Sequence, residues 1–125
     1  MRRTLQEWLP AALWMVVIFA LSSQSNLPTP PDSTLDFVLK KSAHIAVYSL
    51  LALLLLFANR KRPYASETAF VIAALYAISD EFHQSLVPHR TASFTDVAID
   101  SFAAMFAILA FQWYQKRCTR RRDSC

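Results

Sequence analysis

Ala69-Phe70-Val71-Ile72-Ala73-Ala74-Leu75-Tyr76-Ala77-Ile78-Ser79-Asp80-Glu81-Phe82-His83-Gln84-Ser85-Leu86-Val87 decides how this chain is read. It is an apolar helix-length run with two adjacent carboxylates and a histidine set into one end. Each acid costs roughly 2.5–3.5 kcal/mol near the middle of a lipid-exposed helix. Residues of that cost persist where they face partners, water or a ligand. The surrounding sequence must therefore supply something for Asp80, Glu81 and His83 to face.

Three further apolar blocks flank the run: Leu5–Leu21, Ala43–Ala58 and Phe94–Tyr114. About 20 helical residues cross a bilayer core, and flanking residues extend the shorter blocks to that length. The 125 residues are 54% hydrophobic and contain no glycine. Length suggests one domain, over 1–125. Ile45–Phe57 and Val97–Phe111 are apolar nearly all round, which favours membrane spans over the helices of a soluble four-helix bundle. The expected fold class is all-α: an integral membrane bundle of four transmembrane helices, spanning about 5–22, 35–58, 67–87 and 94–114, with a basic tail over 115–125.

Charge placement sets the orientation. With the N-terminus cytoplasmic, Arg2, Arg3, Arg60, Lys61, Arg62, Lys116, Arg117, Arg120, Arg121 and Arg122 lie inside, and only Lys40, Lys41 and Arg90 outside. Ten against three is a positive-inside bias that puts both termini in the cytoplasm. The net charge of +4 then belongs to a tail facing anionic lipid, and nucleic acid is not an expected partner. Cys118 and Cys125 fall in that tail, in a reducing compartment, where a structural disulfide is not expected. Met1–Leu21 has the form of a signal peptide with Ala20-Leu21-Ser22 as a cleavage site. An uncleaved anchor is the preferred reading, because removal would leave an odd number of spans.

Pro10 is expected near the start of the first helix, where proline is tolerated, and Ser22-Ser23-Gln24-Ser25 forms a polar collar at its end. Pro28, Pro30 and Pro31 mark an extended external loop. Ser33-Thr34-Leu35-Asp36 and Ser93-Phe94-Thr95-Asp96 read as capping boxes opening helices 2 and 4, and Ser66 as the N-cap of helix 3. Lys41, His44 and Tyr48 stand at i, i+3 and i+7, on one face. Tyr76, Asp80, His83 and Gln84 share a face of helix 3, with Glu81 about 100° round toward another neighbour. At 1.5 Å per residue, Asp80 lies roughly 10 Å below Val87, and Asp100 roughly 10 Å below Ser93. Lys41 and His44 reach a similar depth. Lys41, aligned with His44, is expected to turn inward with Asp100 as partner, while Lys40 snorkels to the headgroups.

These residues carry a resemblance. Ser22-Ser23-Gln24, Lys41-Ser42 with His44 and Tyr48, Asp80-Glu81-Phe82-His83-Gln84 with Pro88 and Arg90, and Asp96 resemble, in this order, the VanZ-like family. Its members are small bacterial membrane proteins named for an accessory protein linked to teicoplanin resistance. The resemblance runs from about Leu13 to Leu109. The chain departs from the pattern on helix 4, where the family often has Asn at the position of Asp100 and Gly at that of Ala103.

The resemblance implies a place in the bacterial cytoplasmic membrane and a cell-envelope theme, but no settled reaction. The leading expectation is an outward-facing polar pocket binding an anionic envelope component, such as a lipid-linked phosphate or a glycopeptide-related surface component. Lys41, His44, Tyr48, Gln84, Arg90, Asp96 and Asp100 would line it. Alternatives are an enzyme acting on a lipid-linked phosphate, a proton-coupled lipid or solute carrier, and a purely structural polar network. In the enzyme, Asp80 or Glu81 would be the base and His83 or His44 the acid. No cofactor is expected. Asp80, Glu81, His83, Asp96 and Asp100 are ligand types for zinc or manganese, but their spacing matches no metal motif, and none is expected either. No serine has a nucleophile signature.

Overall fold

The computed structural model describes residues 2–24, 33–88 and 93–122. These form four α-helices: α1 Arg2–Ser22, α2 Ser33–Asn59, α3 Ala65–Ser85 and α4 Phe94–Arg122. No strand occurs among the described residues. The expected loop 26–32, Arg90 with its neighbour His89, Cys125 and the side chains of Ser33 and Asp36 lie outside what is described.

Element limits differ from expectation in three places. α1 begins at Arg2, so Pro10 sits more than two turns inside it. There it withholds an N–H from the ladder, which membrane helices accommodate. α3 begins at Ala65, one residue before Ser66. Its N-cap is Tyr64, which makes no side-chain cap bond. Tyr64 takes a left-handed conformation (φ 58°, ψ 34°), a position that favours glycine in a chain that has none. α4 does not stop at Tyr114 but continues to Arg122, so most of the basic tail is helical.

α2 is the central helix and packs against all three others, while α1 and α4 do not meet. Ala69, Ala73 and Ala77 form a buried stripe along α3 at four-residue spacing, within a core that includes Leu51, Ala52, Leu55 and Ala104. Small side chains let helix backbones approach where lipid supplies no hydrophobic drive. Ala103 is also buried, and its carbonyl accepts Ser49 Oγ at 3.4 Å. The α2–α4 approach therefore survives without glycine at that position.

The exterior is apolar. Leu13, Val16, Phe37, Phe102 and Phe106 are among many large hydrophobics left exposed. α1, α2 and α4 contain segments long and apolar enough to cross a membrane: Leu5–Ser22, Phe37–Asn59 and Phe94–Arg121. α3 falls short of that standard because Glu67, Asp80, Glu81, His83 and Gln84 lower its mean hydropathy. Its faces differ sharply, however. Val71, Leu75, Ile78 and Phe82 form an exposed apolar row, while Asp80, Glu81 and Gln84 point inward and are buried.

The two ends of the bundle differ in charge. At one end Lys61 Nζ donates to Glu7 Oε1 at 2.6 Å, with Arg60 at 3.7 Å from the same oxygen. At the other end the acids of α3 and α4 meet the polar residues of α1 and α2.

Candidate functional site at the polar end

The helical spacing of Lys41, His44 and Tyr48 turns all three into the bundle. Lys41 Nζ pairs with Asp96. One turn deeper, His44 Nδ1 lies 3.2 and 3.1 Å from the two Asp100 oxygens. Another turn on, Tyr48 OH donates to Asp80 Oδ2 at 3.1 Å. The three rungs lock α2 to α4 and then to α3. The expected Lys41–Asp100 pairing is shifted by one turn: Lys41 takes Asp96, and Asp100 takes the histidine.

Asp96 is available for Lys41 because a different acid does its expected job. In a capping box the fourth residue accepts the N-cap N–H. Here Glu81 Oε2, from α3, accepts the Ser93 N–H at 2.8 Å. Ser93 Oγ still caps the Thr95 N–H at 3.2 Å. The box at the start of α4 is thus completed across helices. Glu81 points to α4 while Asp80 points to α1 and α2, as their 100° separation requires.

Asp80 gathers three neutral donors on one oxygen. Its Oδ2 accepts from Ser22 Oγ at 2.9 Å, Gln84 Nε2 at 3.0 Å and Tyr48 OH at 3.1 Å. Ser22 belongs to α1, so one carboxylate oxygen joins three helices. The sequence presents Ser22 and Ser23 as a polar collar and as part of the family resemblance, with no site role. Their adjacency at a helix end opposite the DEFHQ run was the available signal. Ser23 Oγ lies 3.0 Å from His83 Nε2 and donates to the Phe19 carbonyl at 2.7 Å. The one hydroxyl proton of Ser23 can serve only one of these two contacts at a time, and the His83 tautomer decides the direction of the Ser23–His83 bond. The His83 ring packs on Phe19 with centroids 4.3 Å apart.

The charge balance decides what the arrangement can do. Lys41 and His44 each face a carboxylate. Asp80 and Glu81, 4% and 5% exposed, contact only neutral donors among the described residues. Asp80 Oδ1 and Glu81 Oε1 are buried without a hydrogen-bond partner among the described residues. A buried carboxylate without a counter-charge is costly in a low dielectric. No group of three or more His, Cys, Asp or Glu side chains capable of holding a metal occurs among the described residues. One cavity of about 150 Å³ lies on the α3–α4 seam, lined by Phe70, Ala98, Ser101, Phe102 and Met105. None of the site acids borders it.

A helical bundle with an apolar exterior and three helices long enough to cross a bilayer belongs to a membrane protein, and its buried ionisable groups gather at one end. The VanZ/LLP1 family model matches residues 7–115, most of the chain, and the chain belongs to that family. No curated protein and no solved structure gives a significant match.

Proposed function

We propose that this VanZ/LLP1-family protein is a proton-linked membrane protein, with Asp80 and Glu81 on its proton path at the outer face of the bacterial cytoplasmic membrane, acting on an envelope component. The observation that carries this reading is the mismatch in charge. Among the described residues, Lys41 and His44 stand opposite Asp96 and Asp100, while Asp80 and Glu81 have neutral donors only and one buried oxygen each with no partner. Intramembrane acid and histidine chains are characteristic of proton relays.

The orientation belongs to the same proposal. α3 is the fourth span, its apolar row of Val71, Leu75, Ile78 and Phe82 toward lipid and its acids toward the bundle. The basic end lies in the cytoplasm with both termini, as the ten-to-three division of basic residues favours. The polar end then opens outward.

Proton movement into vesicles holding the reconstituted protein, followed with an entrapped pH-sensitive dye, tests the proton reading. An outside-acid gradient should acidify these vesicles faster than protein-free ones, and that difference is the signal. Asp80→Asn and Glu81→Gln should each remove part of the signal, and the double substitution most of it. A signal unchanged by both substitutions would refute the proposal.

A second reading, binding of an anionic envelope component at the rim, is favoured by one feature. The Lys41 and Asp96 side chains are the most accessible ion pair of the site, 21% and 16% exposed. An incoming phosphate could displace Asp96 from the lysine. Saturable retention of a lipid-linked phosphate, lost in Lys41→Met but not in Glu81→Gln, would select this reading over the first. A link to glycopeptide resistance would follow from either action on the envelope.

A further inference from the structure

The basic end carries a second surface. α2 and α4 run parallel, in a register fixed by Lys41 with Asp96, His44 with Asp100 and Ser49 with Ala103. The offset is 54 to 56 residues. Carried along both helices, it brings the turn Arg60-Lys61-Arg62 level with Lys116 and Arg117. Gln112 of α4 donates to Ser66 Oγ at the start of α3, which fixes the same ends together.

The extension of α4 past Tyr114 is one-sided. At 100° per residue, Lys116, Arg120, Arg117 and Arg121 occupy a single arc of about 140°, and all four are exposed. Trp113 lies on that arc, and the Arg117 guanidinium stacks over its ring at 4.0 Å. The Arg60 guanidinium lies 3.8 Å from the centre of the Phe57 ring. An indole at the hydrocarbon boundary places the next two turns, roughly 10 Å of helix, through the headgroup layer. Seven basic side chains, Arg60, Lys61, Arg62, Lys116, Arg117, Arg120 and Arg121, stand at this end against two described acidic ones, Glu7 and Glu67.

From this juxtaposition we infer that the α2–α3 turn and the helical extension of α4 together form a binding site for the phosphates of anionic phospholipids. Guanidinium groups supply forked donors matched to phosphate oxygens. The stacked aromatic rings hold two of them in place. The occupant is a lipid because the site begins at the aromatic boundary and is exposed along the layer where lipid phosphates lie. This site is independent of the proton reading at the polar end.

The test is thermal unfolding of the purified full-length protein in detergent supplemented with phosphatidylglycerol, phosphatidylcholine or free glycerol phosphate. Phosphatidylglycerol should raise the midpoint by several degrees more than phosphatidylcholine, and added salt should erase the difference. Substituting Lys116, Arg117, Arg120 and Arg121 together by Gln should abolish the preference. Arg117→Lys with Arg120→Lys and Arg121→Lys, which keeps the charge but removes the forked donors, should retain only part of it. Equal stabilisation by both lipids would overturn the proposal, as would a preference unchanged in the glutamine variant. Free glycerol phosphate acting as strongly as the lipid would overturn the lipid as occupant. If the glutamine variant does not fold, the lipid comparison and salt titration of the unaltered protein decide the question.

Discussion

At the scale of single residues, Asp80 holds the polar end together through one oxygen. Hydrogen bonds to a charged group typically contribute about 1.5–3 kcal/mol, although side-chain bonds within membranes average nearer 0.6 kcal/mol. Tyr48 is buried and makes one of the three bonds. Tyr48→Phe should therefore cost about 1 kcal/mol, measured by reversible unfolding in mixed micelles, while Ser23→Ala at the exposed rim should cost less than half as much. Lys41 separates the two possible pairings. A double-mutant cycle of Lys41→Met with Asp96→Asn should show coupling on the order of 1 kcal/mol, and with Asp100→Asn close to none. The reverse pattern would restore the pairing that depth alone suggests. Sequence spacing was enough to align Lys41, His44 and Tyr48, because a helix repeats whatever its neighbours do. It could not choose between Asp96 and Asp100, one turn apart on the same side of α4. That choice depended on Glu81, a residue of another helix, relieving Asp96 of its capping task.

Among the elements, α3 and the start of α4 are joined by the Glu81–Ser93 bond. A carboxylate at a helix N-terminus satisfies an otherwise orphaned N–H and complements the helix dipole. Glu81→Gln keeps the shape but removes the charge. Amide exchange at Thr95 to Val97 should then quicken about tenfold, the equivalent of about 1.4 kcal/mol, with exchange in the middle of α2 unchanged. Uniform quickening through all four helices would instead make Glu81 a support of the whole bundle. The existence and order of the helices were legible because their apolar blocks are long and separated by proline or charge. Their ends were less so. Tyr64 gives no capping signal, since tyrosine is a poor candidate for a left-handed position. Gln115–Arg122 is polar apart from Cys118, so hydropathy ends α4 at Tyr114 while helix propensity, high for Gln, Lys and Arg, carries it on. α3 shows the opposite limit. An average over its residues hides the fact that its acids and its exposed apolar row occupy different faces.

The whole molecule is proposed to be polar across the membrane, with a buried acidic site opening outward and a basic end anchored inward. The charge count favours that orientation, and both the proposed proton path and the proposed lipid site depend on it. Sidedness is open to direct measurement. With Cys118 and Cys125 replaced by Ser, a cysteine at Gln24 reports on the polar end and one at Arg62 on the basic end. Both positions are exposed. A membrane-impermeant maleimide applied to intact cells or spheroplasts should label Gln24→Cys. It should leave Arg62→Cys unlabelled until the membrane is permeabilised. Labelling of Arg62→Cys alone in intact cells would invert the protein and overturn the proposed orientation.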